Sequence, residues 1–151
     1  MRIVVQRVNR ASVEVDKVIV GKIDQGLLVY VGIEKEDTEK EVAFIAEKIL
    51  NLRIFPDDEY KMNLSVKDVG GAVLSISQFT LASYIQKGRR PDFTNAEAPE
   101  KAVVLYERFN DYLAREIPVE RGVFGAMMAV ESVNNGPVTF IIEKKYNQKG
   151  T

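Results

Sequence analysis

The stretch that decides the fold is GLLVYVGI, residues 26–33. It is almost continuously apolar, a pattern typical of a strand that is buried on both faces. Upstream, ASVEVD (residues 11–16) alternates apolar and polar side chains, and KVIVGKI (residues 17–23) continues after a turn. We therefore predict an antiparallel pair with one solvated face beside a fully buried strand.

Two helices are predicted further along the chain. The first lies within DTEKEVAFIAEKILNL (residues 37–52), where Thr38 and Glu41 have the spacing of a capping box and the apolar residues fall on one stripe. The second runs from about residue 99 to residue 117, because a proline suits the first turn of a helix and Pro118 cannot continue one.

Further strands complete the predicted sheet. AVLSISQFTL predicts a strand over residues 72–81, and VFGAMMAVESV and PVTFIIEK predict two late strands. A mostly antiparallel, curved sheet or partly closed β-barrel with two main helices packed on it makes an α+β fold. We predict a single domain over residues 1–151, with a frayed basic tail at about residues 146–151.

Composition excludes several classes of protein. The chain has 151 residues and a formal net charge of -1, which argues against a protein that coats nucleic acid through an overall basic surface. It has no cysteine and no histidine, which excludes disulfides, zinc-thiolate sites and a Ser-His-Asp triad. No metal and no cofactor are expected. No apolar run is long enough to span a membrane, and we expect a cytoplasmic protein.

Polar residues gather at the end of the strand predicted over residues 72–81. Ser77, Gln78 and Thr80 supply hydroxyl and amide groups, and a strand that stops pairing exposes N–H groups that could stabilise an oxyanion. The alternative is a set of solvated or cross-strand hydrogen-bonded side chains. A threonine without a base is a poor nucleophile, so the residues alone leave both interpretations open.

Basic residues lie in two unusual settings. QKGRRPDF (residues 86–93) places Lys87, Arg89 and Arg90 around a glycine, which suits contacts to phosphate or to a base but also an ordinary solvated loop. Arg7 falls on the same strand face as apolar residues. Its guanidinium is therefore expected either to reach solvent or to bind backbone carbonyls of another loop.

The stretch NNGPVTF, residues 134–140, separates the two late strands. Asn135 and Gly136 are a hairpin signal, and Pro137 would then begin the returning strand. The alternative is a backbone shaped for a ligand, since a glycine has no side chain to hinder a close approach. The local pattern favours a hairpin and does not by itself indicate a pocket.

Six strings distributed along the chain resemble one protein family. They are QRVNRASV (6–13), GLLVYVGIEKED (26–37), KMNLSV (61–66), SQFTLA (77–82), GRRPDF (88–93) and NGPVTF (135–140). In this order and spacing the chain resembles the D-aminoacyl-tRNA deacylases from end to end. The pair SQFTL and NGPVT is the most specific part of the resemblance.

The resemblance implies a homodimer that hydrolyses the ester of tRNA mischarged with a D-amino acid, or of tRNA(Ala) mischarged with glycine. Its active sites would lie at the dimer interface, where a cis Gly136–Pro137 element of one subunit rejects L-aminoacyl-tRNA in the pocket of the other. Arg7 would hold that element. The residues implied to line the aminoacyl site and stabilise the oxyanion are Ser77, Gln78, Phe79 and Thr80.

Contacts to tRNA are implied for Lys87, Arg89, Arg90 and Phe124. Phe124 and the Met127–Met128 pair are candidates for lining an adenosine pocket, with the protein core as the alternative. The resemblance implies Thr80 as a candidate nucleophile. Because this threonine lacks an identifiable base, our hypothesis is instead attack by water helped by the 2′-hydroxyl of the RNA.

The chain departs from the family pattern at two positions. Tyr84 stands where the family often has an acidic residue, and Asn135 stands where it often has aspartate. The alternatives to a deacylase are a noncatalytic nucleic-acid-binding homodimer of the same fold and a structural or regulatory homodimer. DNA is not expected as a partner.

Overall fold

One long strand organises the sheet in the computed structural model, which describes residues 1–146. The strands in this part of the chain are β1 (Arg2–Val15), β2 (Val18–Ile23), β3 (Gly26–Gly32), β4 (Phe55–Pro56), β5 (Met62–Leu64), β6 (Ala72–Ser77), β7 (Val119–Arg121) and β8 (Ala129–Glu143). β1 pairs antiparallel with β2, β3 and β8. β3 pairs parallel with β6, and β6 pairs parallel with β7.

The sheet curves into a partly closed barrel. Its strand order is β2-β1-β3-β6-β7, with β8 also paired to β1, and the two end strands β2 and β7 contact each other. β4 and β5 form a separate small pair. Together with two main helices, this arrangement confirms the predicted α+β class.

The buried side chains form two clusters on opposite faces of the sheet. β3 contributes Leu28 to the cluster inside the barrel and Leu27, Val29 and Val31 to the larger cluster under the helices. The strand is therefore buried on both faces, as predicted. Burial of apolar side chains is the main contribution to the stability of such a fold.

Both predicted helices are present, as α1 (Glu39–Asn51) and α2 (Pro99–Ala114). The predicted capping box opens α1, since the Thr38 N–H donates to Glu41 Oε2 at 2.7 Å. α2 ends a few residues before the predicted residue 117. Ile117 nevertheless stays buried, because its N–H donates to the Leu113 carbonyl in a last turn.

The predicted pair of strands at residues 11–23 is confirmed as the β1–β2 hairpin. Its two turn residues, Asp16 and Lys17, have φ values of 50° and 65°, the left-handed backbone that tight two-residue hairpins require.

The hairpin predicted at NNGPVTF is wrong. β8 continues in one direction through this stretch, and both of its halves pair with β1. Gln6 pairs with Thr139 and Val8 with Asn134, so residues 135–138 leave the ladder as a bulge opposite Arg7. The turn signal was overridden because β1 is long enough to pair with both halves.

Two predicted strand boundaries are also wrong. β6 ends at Ser77 rather than Leu81, because its partner β3 ends at Gly32, and a 3₁₀ turn follows over Phe79–Ala82. The late strand predicted from residue 123 begins only at Ala129. Gly125, with a φ of 77°, lies in the intervening loop and is incompatible with a strand.

Residues 147–151, most of the predicted tail, lie outside the described part of the chain. Tyr146 is described, and its N–H donates to Glu41 Oε1 at 3.0 Å. Across residues 1–146, neither helix has both the length and the hydropathy that a membrane crossing requires.

Candidate active site

The polar end of β6 is a turn with free backbone donors. The Gln78 N–H completes the ladder by donating to the Val31 carbonyl at 2.7 Å, and the Leu81 N–H donates to the Gln78 carbonyl at 3.2 Å. The N–H groups of Phe79 and Thr80 lie between these two bonds and have no acceptor among residues 1–146. The first N–H groups of a helical turn are the ones its geometry leaves free, and two adjacent donors suit an oxyanion.

The side chains of this turn bind one another. Gln78 Nε2 donates to Thr80 Oγ1 at 2.6 Å, and Ser83 Oγ donates to the Thr80 carbonyl at 2.6 Å. An amide N–H₂ group cannot accept a proton, so the partner of the Thr80 hydroxyl is not a base. The arrangement can orient a water molecule or a substrate hydroxyl more readily than it can activate Thr80 as a nucleophile.

A pocket of about 670 Å³ opens beside this turn. Ser77, Gln78 and Phe79 lie on one side of it, and aromatic and methionine side chains make up much of the rest. Its lining residues of those two kinds are Phe79, Phe93, Tyr106, Phe124, Met127 and Met128. Apolar, aromatic walls with a few polar groups at one end are typical of a site for a small organic group.

Two aromatic pairs shape the pocket. The rings of Phe79 and Phe93 lie 5.3 Å apart, and those of Tyr106 and Phe124 lie 5.8 Å apart. Phe79 is 60% exposed although it contacts Phe93. Exposed aromatic faces of this kind can stack on a nucleobase.

The pocket also contains residues that the sequence did not identify as functional. Tyr106 of α2 is one of them; it is buried, and its hydroxyl donates to the Ser75 carbonyl at 2.7 Å. Burial raises the pKa of Tyr106, so its phenol stays protonated and remains a donor. Glu97 lines the pocket as well, and no motif in the sequence marked it.

The second unusual element is the bulge at residues 135–138, where the Gly136–Pro137 peptide bond is cis. Gly136 has a φ of 139°. A Cβ atom at this position would lie 2.6 Å from Val138 Cγ2 and 2.9 Å from the Val138 nitrogen. The backbone conformation and the close contact therefore both require glycine.

Arg7 anchors this bulge from within the protein. Its side chain is almost fully buried, with Nε donating to the Asn135 carbonyl at 3.1 Å and Nη1 to the Ile54 carbonyl at 2.6 Å. Of the two settings expected for Arg7, the guanidinium therefore adopts the one that binds backbone carbonyls. Charged donors of this kind form the stronger class of hydrogen bond.

Comparison with known proteins decides the family. The family model described as D-Tyr-tRNA(Tyr) deacylase matches residues 4–143. The chain belongs to this family. Two curated relatives, each named D-aminoacyl-tRNA deacylase, come from Shouchella clausii and Bacillus velezensis. The first is 58% identical to the chain and the second 52%. Each match covers 96% of this chain, and it covers 100% of the first relative and 99% of the second.

Solved structures agree with the deacylase fold. A protein titled c-Myc DNA Unwinding Element Binding Protein has a TM-score of 0.92 and 41% sequence identity, covering 97% of this chain and 100% of its own. A probable eukaryotic D-amino acid tRNA deacylase has a TM-score of 0.78 and 19% sequence identity, and the match covers 93% of this chain and 97% of that one. The second likeness supports the fold alone. Membership of the deacylase family makes the chain a hydrolase.

The residues expected to act in a deacylase fall into separate regions of this chain. Ser77, Gln78 and Phe79 meet Phe124 at the pocket, and Thr80 follows in the same turn. By contrast, the bulge and its anchor do not contribute to the pocket lining among residues 1–146. The residues of this second region are Arg7, Gly136 and Pro137.

The three basic residues expected to contact tRNA lie in an exposed loop. Tyr84 and Asp92 close the loop, since each N–H donates to the carbonyl of the other at 2.8 Å. None of the three lines the pocket, although Phe93 just after the loop does. The loop members concerned are Lys87, Arg89 and Arg90.

Proposed function

We propose that the protein hydrolyses the ester bond of D-aminoacyl-tRNA and releases the free D-amino acid and tRNA. The observation that carries the proposal is the turn at the end of β6. Its Phe79 and Thr80 N–H groups have no acceptor among residues 1–146, and its Gln78 and Phe79 line an aromatic pocket of about 670 Å³. A terminal adenosine is flat and apolar on its faces, so it suits walls made of aromatic rings. The ester carbonyl would then lie at the turn.

The chemistry at the turn is stabilisation of charge. Attack on the ester carbonyl makes a tetrahedral oxyanion, which the N–H groups of Phe79 and Thr80 would bind. The Gln78 amide donates a hydrogen bond to the Thr80 hydroxyl and cannot take a proton from it. This supports attack by water assisted by the 2′-hydroxyl of the terminal ribose. Ser77 and Gln78 would orient the aminoacyl group.

One substitution in the protein and one change in the substrate separate the two possible nucleophiles, Thr80 and water. Thr80→Ala should keep substantial activity, because the backbone donor at residue 80 remains. A substrate whose terminal ribose lacks the 2′-hydroxyl should be hydrolysed poorly. The reverse pattern, a dead Thr80→Ala variant and a fully active deoxy substrate, contradicts the water mechanism.

Chiral selection is assigned to the bulge of a partner subunit in a homodimer. Gly136 and Pro137 are exposed in the single chain and lie outside its own pocket lining, which fits a role in a neighbouring pocket. Two backbone carbonyls directed at the α-carbon would leave room for hydrogen or a D-side chain and exclude an L-side chain. Glycine mischarged on tRNA(Ala) would also be accepted.

The loop carrying Lys87, Arg89 and Arg90 is proposed to contact the tRNA backbone, consistent with an enzyme whose net charge of -1 provides no overall basic surface. We place the enzyme in the cytoplasm, where aminoacyl-tRNA is found.

The direct test measures loss of the ester from matched D-tyrosyl-tRNA and L-tyrosyl-tRNA. The proposal predicts rapid release of D-tyrosine and slow release of L-tyrosine. Equal hydrolysis of both substrates, or of neither, contradicts it.

A second candidate function is binding of nucleic acid without turnover. It is favoured by the solved structure at 41% identity, whose title describes a protein that binds a DNA unwinding element. This candidate predicts a retained complex with tRNA or DNA and no free amino acid. Detection of free D-tyrosine at substoichiometric enzyme rules it out as the sole function.

A further inference from the structure

Asn134 lies at the base of the bulge and outside the strings that carry the family resemblance. It pairs with Val8 as the last ladder residue before the bulge, and Thr139 pairs with Gln6 as the first residue after it. Because residues 135–138 have left the ladder, the backbone N–H groups among them, which Pro137 lacks, need acceptors other than β1.

The Asn134 amide supplies one of these acceptors and closes the bulge. The Val138 N–H donates to Asn134 Oδ1 at 3.1 Å, and Asn134 Nδ2 donates to Thr139 Oγ1 at 3.2 Å. Gln6 Nε2 also donates to Thr139 Oγ1, at 3.3 Å. One side chain therefore binds the last residue of the bulge and the first ladder residue after it.

Asn134 and Arg7 hold opposite ends of the same segment. Arg7 fixes the carbonyl of Asn135 at the start of the bulge, and Asn134 fixes the N–H of Val138 at its end. Val138 is additionally buried in the large core cluster. Gly136 and Pro137 thus lie between two anchored residues, and their carbonyl directions depend on both anchors.

We propose that Asn134 is a positioning residue that sets the chiral selectivity of the enzyme. The inference rests on the proposed function, since it assumes that the bulge contacts the aminoacyl group. Asn134 acts through the backbone of the bulge and not on the reacting atoms. Its loss should therefore change discrimination between enantiomers more than it changes hydrolysis of the D-substrate.

The test compares Asn134→Leu with Asn134→Asp. Leucine has a similar size and no hydrogen-bonding groups, so the ratio of kcat/KM for D-tyrosyl-tRNA to that for L-tyrosyl-tRNA should fall about tenfold, as expected from losing one or two hydrogen bonds. Aspartate keeps an acceptor for the Val138 N–H and can accept from the Thr139 hydroxyl. It should restore the ratio to near the wild-type value.

A matched control and a structural readout accompany the kinetics. Asn51→Leu also removes an asparagine that binds a backbone carbonyl, that of Glu47 at 2.9 Å, and should leave the ratio unchanged. Amide hydrogen exchange measured on the folded wild-type enzyme should find the Val138 N–H protected. In Asn134→Leu it should exchange faster, while neighbouring ladder amides keep their protection.

Three outcomes overturn the inference. They are an unprotected Val138 N–H in the wild type, an unchanged ratio in folded Asn134→Leu, and an equal loss for both enantiomers. The wild-type measurement needs no variant, so it can overturn the inference even if Asn134→Leu does not fold. A wild-type enzyme that fails to discriminate enantiomers contradicts the proposed function instead.

Discussion

The turn after β6 and the bulge within β8 are both interruptions of a strand, yet they present different chemistry. At the turn the ladder stops next to a pocket, and the N–H groups of Phe79 and Thr80 have no acceptor in the described part of the chain. In the bulge the ladder resumes, and Arg7 and Asn134 bind the backbone at both ends. The turn offers donors to a ligand, whereas the bulge offers a fixed backbone shape.

The difference suggests how a protein without histidine or cysteine divides its work. Free backbone donors stabilise developing charge, and this requires no titratable side chain. In the proposed function, the rigid bulge excludes wrong substrates by its shape, and this requires that its polar groups be satisfied internally. Substitutions that act on only one of these two regions can therefore test the division.

The largest effect is expected from removing the anchor of the bulge. Arg7→Leu should lower the free energy of unfolding by about 3 kcal/mol, because the carbonyls of Ile54 and Asn135 lose buried, charged donors. Chemical denaturation measures this change. Arg7→Lys keeps the charge and should recover part of the loss. An Arg7→Leu variant with an unchanged free energy of unfolding would show that the bulge does not depend on its anchor.

A smaller effect on stability and a specific effect on activity are expected from Gly136→Ala. The new Cβ would lie 2.6 Å from Val138 Cγ2, so the bulge must shift and kcat/KM for D-tyrosyl-tRNA should fall about a hundredfold. Gly70→Ala is the matched control, because Gly70 has a φ of +66° but no atom within 4 Å of the added Cβ. Comparable activity losses in both variants would mean that backbone strain alone explains the effect.

The smallest effect is expected at Glu41 in α1, remote from both the turn and the bulge. A change there tests whether a loss of stability alone alters selectivity. Burial acts to raise the pKa of Glu41, but hydrogen bonds from Tyr146 and Thr38 outweigh it and leave the pKa lowered. Because the pKa of Glu41 is lower in the folded state, ionised Glu41 stabilises the fold. This contribution is present above pH 4.5, the ordinary pKa, and is lost as the pH falls through the folded pKa.

Glu41→Gln should accordingly cost about 1 kcal/mol near neutral pH, and the difference from wild type should shrink as the pH falls below 4.5. Thermal unfolding across this range measures it. Discrimination between D- and L-substrates should not change. If it does, loss of stability alone can alter selectivity, and the comparison between the two regions loses its meaning.

Elements with a local cause were predicted correctly from the sequence. The capping box of Thr38 and Glu41, the Asp16–Lys17 turn and the apolar run of β3 each contain their own signal, and all are present. Strand ends were not predictable in this way. β6 stops where its partner β3 stops, and this depends on a pairing that the local pattern does not reveal.

The local pattern at the bulge predicts a hairpin instead, for the same reason. Asn135 and Gly136 favour a turn locally, but the direction of the chain after them depends on the length of β1. The resemblance to the deacylases identified this stretch as functional when its pattern did not. Neither source indicated Asn134 or Glu97, because their roles arise only from contacts in the folded chain.

The central claim is that the turn of one subunit and the bulge of its partner form one active site, and subunit mixing tests it most directly. Gln78→Ala impairs the pocket, and Gly136→Ala impairs the bulge, so each homodimer should be nearly inactive. In an equal mixture that is unfolded and refolded together, about half of the dimers are mixed, and one of the two sites in each is intact. The account predicts recovery of about a quarter of wild-type activity on D-tyrosyl-tRNA. Failure to recover activity, with mixed dimers confirmed by mass spectrometry, would contradict it.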